Sequence, residues 1–292
     1  MVKVLILGST GMLGHKLYQV LNPMFDVTGT IRGSYRDVSK YDFFQQERIV
    51  PNVDAREISQ VEKVIEETGP DLVINSIGIV KQLEEKAGVL LNIWLNSLFP
   101  HQLYQICQVK RIRLIHLSTD CVFSGRKGNY REDDSSDAED IYGKTKYLGE
   151  VNKIGALTIR TSLIGRELDS TNGLLEWFLS NQGGKVNGFT NAIFSGFPTL
   201  HLSRIIADII MNHQNLSGLY HVSSEPISKF KLLTLIKEAM KLNIEIEDYP
   251  NFQCDRSLDS TLYRKETGFK PPSWEKMVDE LAEDTVQYLK WR

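Results

Sequence analysis

The chain opens on an almost unbroken apolar run, VKVLILG (2–8), and then changes period. In LGHKLYQVLN (13–22) apolar positions recur three and four apart and stop before Pro23, which predicts a helix with one covered face. DVTGTIR (26–32) reads as a second strand; after a polar loop, ERIVPNVDA (47–55) leads into the helical spacing of EISQVEKVIEETG (57–69). A strand over DLVINSIG (71–78), a long helical region from about Leu83 to Lys110, and a strand over RIRLIHLSTD (111–120) follow. IYGKTKYLGEVNKI (141–154) is helical in spacing, and ALTIRTS (156–162) is the next strand. Apolar strands alternating with helices predict a parallel sheet covered on both faces.

Beyond Leu163 this rhythm loosens. Short strands, LYHVSS (219–224) and IEIEDY (244–249), are interleaved with helices near 202–213, 228–240 and 274–289. The expected division is a nucleotide-binding α/β domain over 1–162 and a smaller mixed α/β part over 163–292, with some of its segments returning to pack on the first. The acidic stretch REDDSSDAED (131–140) reads as a solvated loop, with a lid over a site as the alternative.

Composition narrows the functional classes. Apolar content of 41% and charged content of 24% are those of an ordinary globular protein. A net charge of −3 supplies no basic footprint for nucleic acid, so none is expected as a partner. Cys107, Cys121 and Cys254 lie far apart, without metal-ligand or redox spacing, and no histidine pair has HxxxH spacing; no metal site is expected. No apolar run approaches the ~18 residues of a membrane span, and the N-terminal apolar run is too short for a signal peptide, so the expected location is the cytoplasm.

Three segments carry chemistry. The first is GSTGMLG (8–14), lying between a predicted strand and a predicted helix. Gly8 suits a tight turn, Gly11 lets backbone approach a pyrophosphate, and Gly14 allows close helix–strand packing, while the helix N-terminus meets phosphate charge. Thr10, Met12 and Leu13 complete this candidate loop. The second strand ends not on an acidic residue but at Arg32, with Arg36 close by. A guanidinium there suits the 2′-phosphate of NADPH; if Arg32 stacks on the adenine instead, NADH is equally admissible. Finally, LSTD (117–120) closes a strand and Tyr142-Gly-Lys-Thr-Lys146 opens a helix. Tyrosine and lysine four apart share a helix face, so the ammonium can assist proton transfer by the phenol, and Thr119 can bond the same substrate oxygen.

Together these motifs resemble the extended short-chain dehydrogenase/reductases, a Rossmann-type family, and within it the dTDP-4-dehydrorhamnose reductase group. The resemblance runs nearly end to end. VDARE (53–57), with Asp54 and Ala55, looks like the adenine-side segment, and PDLVINSIG (70–78), with Ser76 and Gly78, like the fourth strand. Asn96 falls where the family has a supporting helix asparagine. LSTDCVFSG (117–125), IYGKTKYLGE (141–150), SGFPTLHLSRIIADII (195–210) and DRSLDS (255–260) are similar to further family segments.

The resemblance implies reduction of the C4 ketone of a nucleotide-linked 4-keto-6-deoxyhexose, in the synthesis of cell-surface polysaccharide precursors. Tyr142 would be proton donor, Lys146 the holder of the nicotinamide ribose, and Thr119 the polariser of the ketone. Val80, Asp120, Cys121, Val122, Asn172, Pro198 and Thr199 would line the nucleotide-sugar pocket. Arg256 would meet the diphosphate, or else order a loop. A homodimer is the family's habit.

Two departures bear on the substrate. Cys121 replaces an aromatic residue, and Ile77-Gly78-Ile79-Val80 replaces an Ala-Ala-Tyr-Thr stretch, leaving room for a different sugar substituent. A UDP-linked 2-acetamido-4-keto-6-deoxyhexose therefore stands beside dTDP-4-dehydrorhamnose. Cys121 also argues against a 4,6-dehydratase, which needs an acidic residue directly after STD. A 4-epimerase using the same trio, and a regulatory subunit that binds the cofactor without turnover, are the other readings.

Overall fold

Seven parallel strands form the central sheet of the computed structural model, which describes residues 1–291. β1 (Lys3–Leu7) lies inside the sheet, with β2 (Asp26–Thr30) and β3 (Ile49–Val50) to one side. On its other side follow β4 (Leu72–Asn75), β5 (Arg113–Thr119), β6 (Ala156–Thr161) and, from the second half, Gly218–His221. Val4, Leu5, Ile6 and Leu7 are all at most 1% exposed, so the aliphatic run is explained by cover on both faces. α1 (Gly14–Leu21) packs Leu17 and Leu21 on one face together with the helix Thr199–Asn212. On the other face, α2 (Ile58–Thr68) contributes Val61 and Ile65. The chain winds outward from β1 to β3, then returns to β4. This reversal opens a crevice above the C-terminal ends of β1 and β4, where such sheets bind ligands.

The predicted helix over 83–110 is one helical path with two interruptions. α3 (Glu84–Asn92) is kinked at Gly88, whose φ is 76°, and Ile93–Leu98 forms a wider π turn before α4 (Phe99–Lys110). α5 (Ile141–Leu148) is shorter than the spacing over 141–154 predicts. It stops because Gly149 presses against the π turn: a Cβ on Gly149 would overlap the carbonyl of Asn96. Gly149→Ala is expected to destabilise the fold by about 1–3 kcal/mol. The check is a lower urea midpoint at unchanged slope.

Within the segment 47–55 only Ile49–Val50 forms a strand, because Pro51 has no amide hydrogen to continue a ladder. Second-half segments return to the sheet through Gly218–His221, paired with β6, and through Thr199–Asn212, packed on α1. The acidic loop is better held than a solvated loop would be. Glu132 accepts from the His221 amide at 2.8 Å, Asp137 from that of Ser124 at 2.7 Å, and Asp140 caps α5.

Candidate active site

The glycine loop between β1 and α1 is shaped by three backbone requirements. Gly8 has φ +87°, its amide donates to Thr30 Oγ1 at 3.2 Å, and a Cβ on Gly14 would overlap the Gly8 carbonyl. α1 can therefore begin directly above the end of β1 only because residue 14 has no side chain. Thr10 and Gly11 are exposed at the turn, and Met12 packs against Gly173. Leu13 and Ala55 bury their side chains in the core. Ser76, at the end of β4, donates to Leu7 O at 2.6 Å and fixes the two strand ends together. Arg32 is exposed two residues past β2. It lies electrostatically opposite Asp54, whose carboxylate Arg56 binds at 2.5 Å and holds below its ordinary pKa. A groove of glycine backbone at a helix N-terminus, with cations at its far edge, fits a dinucleotide.

Thr119 ends β5, and α5 carries Tyr142 and Lys146 to the same crevice. Asp140 starts that helix as its N-cap, accepting from Gly143 N at 2.7 Å, and is itself held by Lys81 at 2.6 Å. Glu84 of α3 accepts from the Tyr142 amide at 2.8 Å. Burial, with the Cys121 thiol beside it, pushes the Tyr142 phenol well above its ordinary pKa, against a hydrogen bond with Thr119 that favours the phenolate. Lys146 is buried, donates to Leu117 O at 2.6 Å, and is lowered by desolvation to about 8, with Glu150 opposing. Thr119 Oγ1 accepts from Cys121 N at 3.1 Å and donates to Asp120 Oδ1 at 3.2 Å.

Asn96, in the π turn, joins this helix to the strand-end loop. Its Oδ1 accepts from Ile79 N at 2.8 Å, and its Nδ2 donates to Thr145 Oγ1 at 3.3 Å. A Cβ on Gly78 would stand 3.1 Å from Asn96 Oδ1, so a glycine there leaves room for the asparagine amide that bonds Ile79. Cys121 is half-buried and its thiol is pushed up to about 12 by desolvation, so it is neutral. Asp120 is buried and raised, with Arg256 opposing; Arg256 itself donates through Nε to Phe123 O at 2.7 Å. That bond ties Arg256 to the loop that follows β5. Val80 is exposed at the rim, and Asn172, partly buried, donates its amide to Glu167 at 2.7 Å.

Three expected pocket residues lie elsewhere. Val122 is 0% exposed inside a cluster with Phe123, Tyr130 and Leu258. Pro198 and Thr199 are buried where the helix Thr199–Asn212 begins, Thr199 against Gly165. The segment around them packs into the core. Sequence reasoning missed Glu84, Lys81 and Glu150. These have no local signal, whereas Asp140, an acidic residue directly before a helical run, fits a capping pattern.

A parallel sheet wound in this order, with tyrosine and lysine one turn apart facing a threonine across the strand ends, is that of an extended short-chain dehydrogenase/reductase. Within that class the chain belongs to the family described as RmlD substrate binding domain, which matches residues 2–287. It is 28% identical over 243 residues to the spore coat polysaccharide biosynthesis protein SpsK of Bacillus subtilis (strain 168), spanning 74% of this chain and 80% of that one. It is 28% identical over 141 residues to methionine adenosyltransferase 2 subunit beta of Danio rerio, spanning 44% of each, less than half of that protein. The structure of dTDP-4-dehydrorhamnose reductase from Bacillus anthracis str. Ames in complex with NADP has the same fold. Its TM-score is 0.78 at 24% identity, covering 97% of this chain and 100% of that one.

Proposed function

We propose that the protein is an NADPH-dependent reductase acting on the C4 ketone of a nucleotide-linked 4-keto-6-deoxyhexose. The observation that carries this reading is the convergence of Thr119, Tyr142 and Lys146 at the crevice beside the glycine loop. The loop fits a dinucleotide, Arg32 fits a 2′-phosphate, and a structural relative binds NADP. NADPH, when bound, supplies the hydride that reduces the ketone carbon.

The chain's own residues do the rest. Tyr142 is held protonated by its buried setting, so at neutral pH it is a proton donor aimed at the ketone oxygen. Thr119, turning its single hydroxyl proton from Asp120 Oδ1 to the substrate, donates a second hydrogen bond to that oxygen. Lys146, one turn along, stabilises the phenolate left behind until solvent returns the proton. The product is the C4 alcohol, with the cofactor oxidised. The small neutral Cys121 and the bare Gly78 leave volume beside the sugar, which favours a UDP-linked 2-acetamido sugar over dTDP-4-dehydrorhamnose.

The test is NADPH oxidation by the purified protein with both sugar nucleotides, each generated in place by its dehydratase. Turnover of the UDP-linked sugar well above that of the dTDP-linked one is expected. The reverse preference would assign the rhamnose precursor as substrate. Similarity to methionine adenosyltransferase 2 subunit beta supports a second reading, a cofactor-binding regulatory subunit. NADPH binding without turnover of either sugar would favour it.

A further inference from the structure

We propose that Tyr288, near the far end of the chain, is a positioning residue for the cofactor's pyrophosphate, acting through His15 on the peptide between Gly11 and Met12. This rests on the cofactor-binding reading above and goes beyond it. The loop itself gives no reason to involve the C-terminus, which lies 273 residues away from His15 in sequence yet in contact with it.

His15 stands on the first turn of α1 and is 0% exposed. Its Nδ1 lies 2.8 Å from Gly11 O, and its Nε2 lies 2.5 Å from the Tyr288 hydroxyl. A carbonyl oxygen can only accept, so Nδ1 carries the proton. Burial lowers the ring's pKa to about 3, so it is neutral and Nε2 is left as an acceptor. Tyr288 therefore donates to Nε2. One proton placement satisfies all three groups, and the tautomer is fixed by its ends.

The consequence falls on the loop. Gly11 O receives both the His15 amide, at 3.1 Å, and the His15 ring. In a trans peptide the carbonyl and the following N–H point in opposite directions. Holding Gly11 O toward α1 therefore turns the Met12 N–H outward, to the exposed side of the turn where Thr10 and Gly11 meet solvent. Without that anchor an exposed glycine peptide can flip and offer a phosphate its carbonyl oxygen instead.

Tyr288 is itself clamped. It is 1% exposed, with Lys16 Nζ 5.1 Å and the Arg166 guanidinium 5.2 Å from its ring centre. Lys16 is pinned by Asp284 at 2.7 Å, both side chains being buried. Trp291 packs against Tyr288 and against Phe43, in the loop that follows β2. The C-terminal turn thus grips both the pyrophosphate loop and the segment beyond Arg32 and Arg36.

The experiment measures NADPH dissociation constants by fluorescence titration, alongside melting temperatures, for the wild type, Tyr288→Phe, His15→Leu and His15→Asn. Tyr288→Phe keeps the ring and removes one hydrogen bond, so affinity should fall about 3- to 10-fold. His15→Leu should lose at least as much, and His15→Asn, which can still donate to Gly11 O, should recover most of it. A structural brace would lower the melting temperature while leaving the dissociation constants equal, and that result overturns the proposal. A wild type that binds neither NADPH nor NADH overturns the cofactor reading and this one with it. Equal binding by wild type and variants overturns this one alone.

Discussion

Tyr142→Phe is expected to lower turnover about 100- to 10,000-fold, with the protein folded and still binding NADPH. The substitution removes one oxygen and leaves the ring, so packing around α5 is kept. Reduction of a ketone requires a proton at the oxygen as hydride reaches the carbon, and among the groups grouped here Tyr142 is best placed to give it. Thr119 is a weak acid, and Lys146 is turned toward Leu117 O. Stopped-flow or steady-state NADPH oxidation reads the loss directly. Retention of more than a tenth of wild-type turnover would remove Tyr142 from the role of acid and point to a water or to Thr119.

Arg160→Met should cost about 3–5 kcal/mol of stability, the effect of removing one partner of a buried ion pair. Arg160, on β6, binds both oxygens of Glu150 at 2.7 Å, and the two side chains are 4% and 6% exposed. Glu150 also accepts from Ser118 at 2.7 Å, immediately before Thr119. Methionine fills the volume and leaves the carboxylate unpaired where water cannot reach it. Thermal and urea unfolding would show the loss. Adding Glu150→Leu to Arg160→Met should recover much of it, because the uncompensated charge is then gone. A loss below about 1 kcal/mol would mean that the pair is solvated in solution. The prediction matters for the site because Glu150 is also the carboxylate that opposes the lowering of Lys146.

These two residues also mark the limit of what the chain reveals before it is folded. β1, β4 and β5 are legible because burial on both faces demands aliphatic runs, and the glycine loop because its spacing is local. Arg160 inside ALTIRTS breaks such a run and so calls for a buried partner, yet nothing in the sequence says that Glu150 provides it. In spacing alone, Glu150 reads as the solvated end of a helix. Val122, Pro198 and Thr199 sit in segments that resemble pocket walls, but side chains on such a segment alternate between cavity and core, and these face the core. The link from His15 to Tyr288 joins the two ends of the chain, beyond any local pattern. The π turn was equally hidden, since residues four apart such as Asn92 and Asn96 fit an ordinary helix.

That turn makes the geometry around α5 depend on counting. Before it Glu84 holds the Tyr142 amide, and near its end Ser97 donates to Thr145 O at 2.8 Å. Each residue of a helix advances about 100° around its axis. The wider turn sets the phase between the two grips so that both close on one neighbouring helix. A chain shorter by a single residue between Ile93 and Leu98 would retain every chemical group of the trio and rotate one grip away from the other. Activity in a relative could thus be silenced by a change of length, with Thr119, Tyr142 and Lys146 all intact.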